Sequence, residues 1–170
     1  MLMFTKIIKD WVIPILIAII ITFLINKLVF FNIQVPTSSM YPTIKEGDRI
    51  TVLRVHDLSK LKHGDIVVFR SDELNETLVK RLIGLPGDTV EIREGEQIYI
   101  NGVLFEQDFS YSVDDYMGTF TVPEGCYFFL GDNRSGSYDS RKWINPFITG
   151  DKIMGRAAIR IFPFNRFGKL

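Results

Sequence analysis

Read by the spacing of its apolar side chains, the chain falls into two unlike parts. Residues 11–31, WVIPILIAIIITFLINKLVFF, are apolar throughout except at Thr22, Asn26 and Lys27. A helix over that run is about 30 Å long at 1.5 Å per residue, which matches the hydrocarbon thickness of a bilayer. Pro14 falls in its first turn, where a missing N–H costs little. Trp11 suits one interface, and Lys27 is close enough to the other end to extend its amine outward. A cleavable export signal has an apolar core of only about 7–15 residues followed by small residues at its cut. Here the bulky Leu28-Val29-Phe30-Phe31 follows instead. The pattern therefore predicts a retained transmembrane helix over 11–31, after a short N-terminal segment at 1–10.

From residue 34 onward the 3.6-residue period disappears and short runs with strand character take over. They are ITVLRV (50–55), DIVVF (65–69), TLVKRLI (77–83), TVEI (89–92), TFTV (119–122), CYFFL (126–130) and AAIRIF (157–162). Turn-forming residues separate them, among them Glu46-Gly47-Asp48, Gly64-Asp65, Pro86-Gly87-Asp88 and Pro123-Glu124-Gly125. Asn101-Gly102 between Ile98-Tyr99-Ile100 and Val103-Leu104-Phe105 predicts a hairpin whose two central residues need positive φ. The expected fold is mainly β: one transmembrane helix, then an antiparallel, barrel-like domain over 34–170. A hairpin and loop excursion is expected at about 93–122 within it, with the acidic, aperiodic residues 106–117 as a solvated loop.

Charge and composition narrow the chemistry. Twenty basic residues balance twenty acidic ones, so the chain lacks the cationic surface of a nucleic-acid binder. One cysteine, Cys126, excludes an internal disulfide framework and a cysteine-based zinc site, and two histidines are too few for most metal centres. No cofactor or metal is expected. Lys6, Lys9 and the α-amino group precede the apolar run against Asp10 alone, while the next basic residue after Lys27 is Lys45. The positive-inside bias then keeps the N-terminus in the cytoplasm and sends the β-rich domain across the membrane.

Three segments could carry chemistry. Residues 35–43, VPTSSMYPT, cluster hydroxyls between prolines, which by itself reads as a turn. In residues 78–88, LVKRLIGLPGD, strand alternation puts Lys80 on one face with Leu78 and Leu82, and Arg81 on the other. A lysine so flanked is a candidate buried amine. Burial lowers its pKa from near 10.4, and a lysine general base requires that lowering. The bland alternative packs only the stem and lets the head reach water. Residues 131–141, GDNRSGSYDSR, fail as a calcium loop, because Arg134 stands where an oxygen ligand is needed, and fail as a phosphate loop for want of its glycine spacing. Asp139 and Arg141 are spaced to pair.

Together, and in this order behind one anchor, these segments resemble the bacterial type I signal peptidases, most nearly their Gram-positive branch. Ser39-Met40-Tyr41-Pro42-Thr43 matches the family's S-M-x-P-T. Lys80 to Asp88 matches K-R-x-x-G-x-P-G-D, and Gly131 to Arg141 matches G-D-N-R-x-x-S-x-D-S-R. The resemblance implies a serine endopeptidase that removes signal peptides from exported precursors, with small residues such as alanine before the cut. Ser39 is the implied nucleophile and neutral Lys80 the implied general base. Ser137, Asp139 and Arg141 are implied to support Lys80 and its loop, and the Ser39 N–H with the Thr37 hydroxyl to form the oxyanion hole. Threonine at 37 departs from the family's usual serine or glycine. Ser38 is implied to be a bystander.

The implied setting is a bacterial plasma membrane, crossed once. Secretory preproteins, the bilayer and the secretion translocon are the implied partners. Three other readings compete. A Ser-His-Asp site could draw on His56, His63, Asp57 and Asp65. A self-cleaving Ser-Lys repressor has no use for a membrane span. A catalytically silent anchored β-domain has no use for intact motifs at Ser39 and Lys80.

Overall fold

The computed structural model describes residues 8–107, 112 and 114–170. The chain divides into two compact units, Met1–Phe31 and Asn32–Leu170. In the first, a π-helical turn at Ile8–Val12 leads into α1 (Ile13–Leu28), with Pro14 in the first turn and Lys27 in the last. No side chain of α1 is buried within the protein. The 20 residues Lys9–Leu28 are long and apolar enough to cross a membrane. The helix ends earlier than the apolar run does. Val29 closes it with an N–H donated to the Ile25 carbonyl at 2.8 Å, and Phe30 and Phe31 open strand β1 (Phe30–Gln34). Aromatic residues favour extended backbone, so apolar character continued past the point where helix gave way to strand.

The second unit is β-rich and antiparallel throughout its named strands. They are β2 (Arg49–Arg54), β3 (Ile66–Ser71), β4 (Glu76–Gly84), β5 (Thr89–Arg93), β6 (Gln97–Ile100), β7 (Val103–Phe105), β8 (Gly118–Thr121), β9 (Cys126–Leu130), β10 (Ile148–Thr149), β11 (Ile153–Phe162) and β12 (Gly168–Lys169). One sheet runs β1-β2-β11-β3-β4-β9-β10, with β12 added to β11, and a second runs β7-β6-β5-β8. The Asn101-Gly102 turn has φ of 52° and 80°, and it joins β6 to β7 as the sequence predicts. The excursion expected over 93–122 is part of the second sheet, which begins earlier, at Thr89. Of the loop expected over 106–117, residues 108–111 and 113 lie outside the described residues.

Strand β4 from Val79 onward and β9 from Tyr127 onward are buried on both faces, and their alternating residues feed two cores. Leu82 and Phe129 join Val67, Phe69 and Trp143 in one. Ile83, Phe128 and Leu130 join Val90, Ile98 and Val122 in the other. This explains why CYFFL shows no polar alternation: a strand covered on two sides has no solvent face to mark. Phe69 stacks on Phe129 with ring centroids 4.3 Å apart. Strand β4 pairs with β3 from Glu76 to Arg81 but with β9 only from Arg81 to Gly84. No described strand pairs with its second edge from Glu76 to Lys80.

Candidate active site

Ser39 sits on a turn anchored by its neighbours. Met40 and Ile44 are fully buried, and the turn is closed by Tyr41 N–H to Ser38 O at 3.0 Å and Ile44 N–H to Met40 O at 2.8 Å. A hydrophobic plug beside a half-exposed serine holds the serine at the surface without burying its hydroxyl. Two further ties come from Asn133, whose backbone N–H donates to Ser39 O at 3.1 Å and whose Nδ2 donates to Ser38 O at 3.2 Å. Downstream, the buried carboxylate of Asp48 accepts from Lys45 N–H at 2.9 Å, Arg160 Nη1 at 3.2 Å and Arg166 Nη1 at 3.0 Å. Arg160 also donates to Thr43 O at 2.7 Å. Strand β11 and the 3-10 turn Phe164–Arg166 that follows it thereby clamp the segment after Ser39.

Lys80 lies in the middle of β4 and is 3% exposed. Leu78 and Leu82, which share its face, both pack in the first core. The amine is therefore buried, and the alternative of a head in water is not what the fold adopts. Burial lowers its pKa from 10.5 to about 8; the charges of Asp139 and Asp132 oppose that fall and Arg141 assists it. Its Nζ donates to Ser137 Oγ at 3.0 Å. Among the described residues Lys80 and Ser39 make no direct hydrogen bond; Ser39 Oγ instead lies 3.4 Å from Thr37 Oγ1.

Gly131 brings the two halves together. A Cβ there would stand 2.5 Å from Ser39 O and 2.6 Å from Ser137 Cβ, and would also run into Ser137 Oγ. Only a glycine lets the Ser39 turn and the Ser137 loop close on the same point. Asp139, wholly buried, fixes that glycine by accepting its N–H at 3.0 Å. The same carboxylate takes a two-pronged hydrogen bond from Arg141, with Nε at 2.8 Å and Nη2 at 2.9 Å. Asp139 and Arg141 thus hold the loop that carries Ser137. Arg81, on the opposite face of β4 from Lys80, grips Asp132 through Nε at 2.8 Å and Nη2 at 2.6 Å, and Gly64 O through Nη1 at 2.7 Å.

The histidines lie elsewhere. His63 Nε2 pairs with Asp88 Oδ2 at 2.7 Å, and that carboxylate also receives Leu85 N–H and Asn101 Nδ2. His56 lines a separate pocket of about 290 Å³ with Arg54, Asp57 and Arg156. The described contacts therefore assemble no Ser-His-Asp grouping with Asp57 or Asp65, because the carboxylate His63 meets is contributed by the Pro86-Gly87-Asp88 turn.

Several positioning groups carried no individual signal in the sequence. Gly131, Asp132, Asn133 and Arg134 sit inside a motif that could be recognised only as a block. Asp48, Arg160 and Arg166 are scattered, and their contacts depend on how strands far apart in the chain pair. Ser38, exposed, takes part only through its carbonyl.

The chain is also similar to known proteins. Residues 8–162 match the signal peptidase family, peptidase S26. Signal peptidase I of Bacillus licheniformis is 37% identical over 94% of this chain and 91% of its own length. Signal peptidase IB of Staphylococcus aureus is 35% identical over 95% and 93% respectively. The crystal structure of a signal peptidase I from Enterococcus faecalis, 37% identical, superposes with a TM-score of 0.50 and covers 57% of this chain and 96% of that one.

Proposed function

The chain belongs to the signal peptidase family and is a serine peptidase that removes signal peptides, and from that premise we propose how its residues divide the work. Ser39 is the nucleophile and neutral Lys80 the general base. The mechanism requires Ser39 Oγ to leave Thr37 Oγ1 and meet Lys80 Nζ. The lysine takes the hydroxyl proton as Oγ attacks the scissile carbonyl, and returns it to the leaving amine as the C–N bond breaks. Water, deprotonated by the same lysine, then releases the acyl group from Ser39. The Ser39 N–H and the Thr37 hydroxyl receive the oxyanion. The observation that carries this reading is the burial of Lys80 with a hydroxyl, not a carboxylate, as its hydrogen-bond partner.

The precursor binds as an added strand. The edge of β4 from Glu76 to Lys80 offers backbone groups to an extended peptide and ends at the general base. Small side chains before the cut follow from the family resemblance. The apolar helix anchors this bacterial enzyme in the plasma membrane, N-terminus in the cytoplasm and catalytic unit outside, within reach of precursors leaving the translocon and of the lipid surface.

The test is cleavage of a secretory precursor by detergent-solubilised full-length protein, comparing wild type with Ser39→Ala and Lys80→Ala. Both variants should fold and fail to cut. Cleavage retained by either one removes that residue from the mechanism.

A further inference from the structure

Three arginines are buried around Ser137 and Lys80, and each faces a buried carboxylate. Arg81 has Asp132 and Arg141 has Asp139. Arg134, 1% exposed, has Glu96 at 3.6 Å between Nη1 and Oε2. Glu96 comes from outside the motifs: it ends the 3-10 turn Glu94–Glu96 that leads into β6 of the second sheet. Its Oε1 accepts Asp114 N–H at 2.6 Å and lies 3.8 Å from Arg141 Nη1. The residue is 6% exposed and has φ of 59°, a left-handed conformation that glycine or asparagine would adopt at less cost than glutamate.

What Glu96 balances leads directly to the active site. Arg134 Nε donates to Gly131 O at 3.0 Å, and Arg141 Nη2 donates to Arg134 O at 2.6 Å. Gly131 is the residue on which Ser39 and Ser137 converge. With Glu96 ionised, each buried arginine faces at least one carboxylate, Arg141 meeting Asp114 Oδ2 at 3.4 Å as well, whereas Lys80 hydrogen-bonds a hydroxyl.

We infer that Glu96 is a positioning residue for the Ser39–Lys80 pair, its carboxylate being the counter-charge that allows Arg134 and Arg141 to hold the Gly131–Arg141 loop against both side chains. The inference builds on the Ser-Lys reading above. It makes the second sheet part of the catalytic apparatus, joined to it through a charge. The charged groups that face Lys80 are Asp139 and Arg141 from the Ser137 loop and Asp132 from the end of β9. Removing the Glu96 charge leaves excess positive charge on the Arg134–Arg141 side of this group.

The experiment measures kcat and KM for a signal-peptide substrate against pH, with full-length protein in detergent. Glu96→Gln should lower kcat on the order of tenfold with KM unchanged, a cost set by misplacement of the reacting groups. Its acid limb should move to lower pH by a few tenths of a unit or more, because uncompensated positive charge disfavours the ammonium form. Arg134→Met, which removes one of the two arginines facing Glu96, should move the limb to higher pH. Ile98→Val, a core truncation in the same sheet, should lower the melting temperature without moving the limb. Opposite shifts in the two charge variants cannot come from lost stability. The inference is overturned if neither variant moves the limb relative to Ile98→Val, and a fold failure of one variant leaves the other to decide. Ser39→Ala and Lys80→Ala in the same assay separate the two ideas: if both are inactive while the limb stays fixed, Glu96 alone is excluded.

Discussion

Lys80 Nζ donates to Ser137 Oγ over 3.0 Å, a contact between side chains 57 residues apart. A hydroxyl can orient the amine without stabilising its charged form as a carboxylate would. Burial therefore prevails over the attraction of Asp139 and Asp132, and the amine titrates near 8. In the proposed mechanism that arrangement supplies a lysine base close to working pH, and it makes several outcomes measurable.

Activity should follow the deprotonation of Lys80. Well below about pH 8, kcat/KM is expected to rise nearly tenfold per pH unit, levelling off above that value. A profile flat from pH 5 to 9 would exclude Lys80 as the base.

The same burial carries a stability cost whose sign is opposite to that of an ion pair. The folded-state pKa lies below 10.5, so between about 8 and 10.5 the unfolded chain binds the extra proton and stability rises with pH. Below about 8 the full penalty remains, on the order of 3 kcal/mol from a shift of that size. Lys80→Met, expected to be inactive, should thus melt at a higher temperature than wild type at pH 7. The gap should shrink as pH approaches 10, as thermal melts across that range would show.

Gly131→Ala should be more damaging than Ser137→Ala. The added methyl group meets both the Ser39 carbonyl and the Ser137 side chain, an overpacking that costs about 1–3 kcal/mol. Ser137→Ala removes one hydrogen bond and should leave measurable cleavage, reduced by about 10- to 100-fold. Comparable residual activities in the two variants would argue against convergence at Gly131.

Thr37 can be tested by separating its hydroxyl from its shape. Thr37→Val keeps the branched form and should lower kcat by about 10²-fold with KM little changed, as loss of one oxyanion donor does. Thr37→Ser should retain most activity. Equal rates for the two variants would remove the hydroxyl from the oxyanion hole.

Asp48→Asn should act at a distance. It leaves Arg160 and Arg166 without their buried counter-charge, at a cost of about 3 kcal/mol. Because both arginines also hold carbonyls of the Pro42-Thr43 segment, cleavage should fall along with stability. Urea denaturation alongside the cleavage assay checks both.

How much of this was legible beforehand varies by residue. The strand alternation that grouped Lys80 with Leu78 and Leu82 is a local property, and it correctly put all three on one face. The pairing of Asp139 with Arg141 needs only a two-residue spacing and was also visible. The Asn101-Gly102 hairpin follows from local backbone preference in the same way. The helix ends three residues before the apolar run does, and the pattern does not show it because hydropathy does not distinguish apolar helix from apolar strand at Phe30 and Phe31.

The sequence by itself determined the apolar span, the β-rich character of the rest and the order of motifs that place the chain in its family. Each is written in neighbouring residues, through periodicity, turn preference or contiguous spelling. Tertiary structure alone decided that Lys80 is buried to the end of its side chain, since that depends on what β3, β9 and the Ser137 loop lay over it. It also decided that Gly131 is the common seat of Ser39 and Ser137, that Asp48 is clamped by arginines more than a hundred residues away, and that Glu96 faces Arg134. These are relations between distant segments, set by how strands pair and cores fill, and no local pattern encodes which buried charge will meet which.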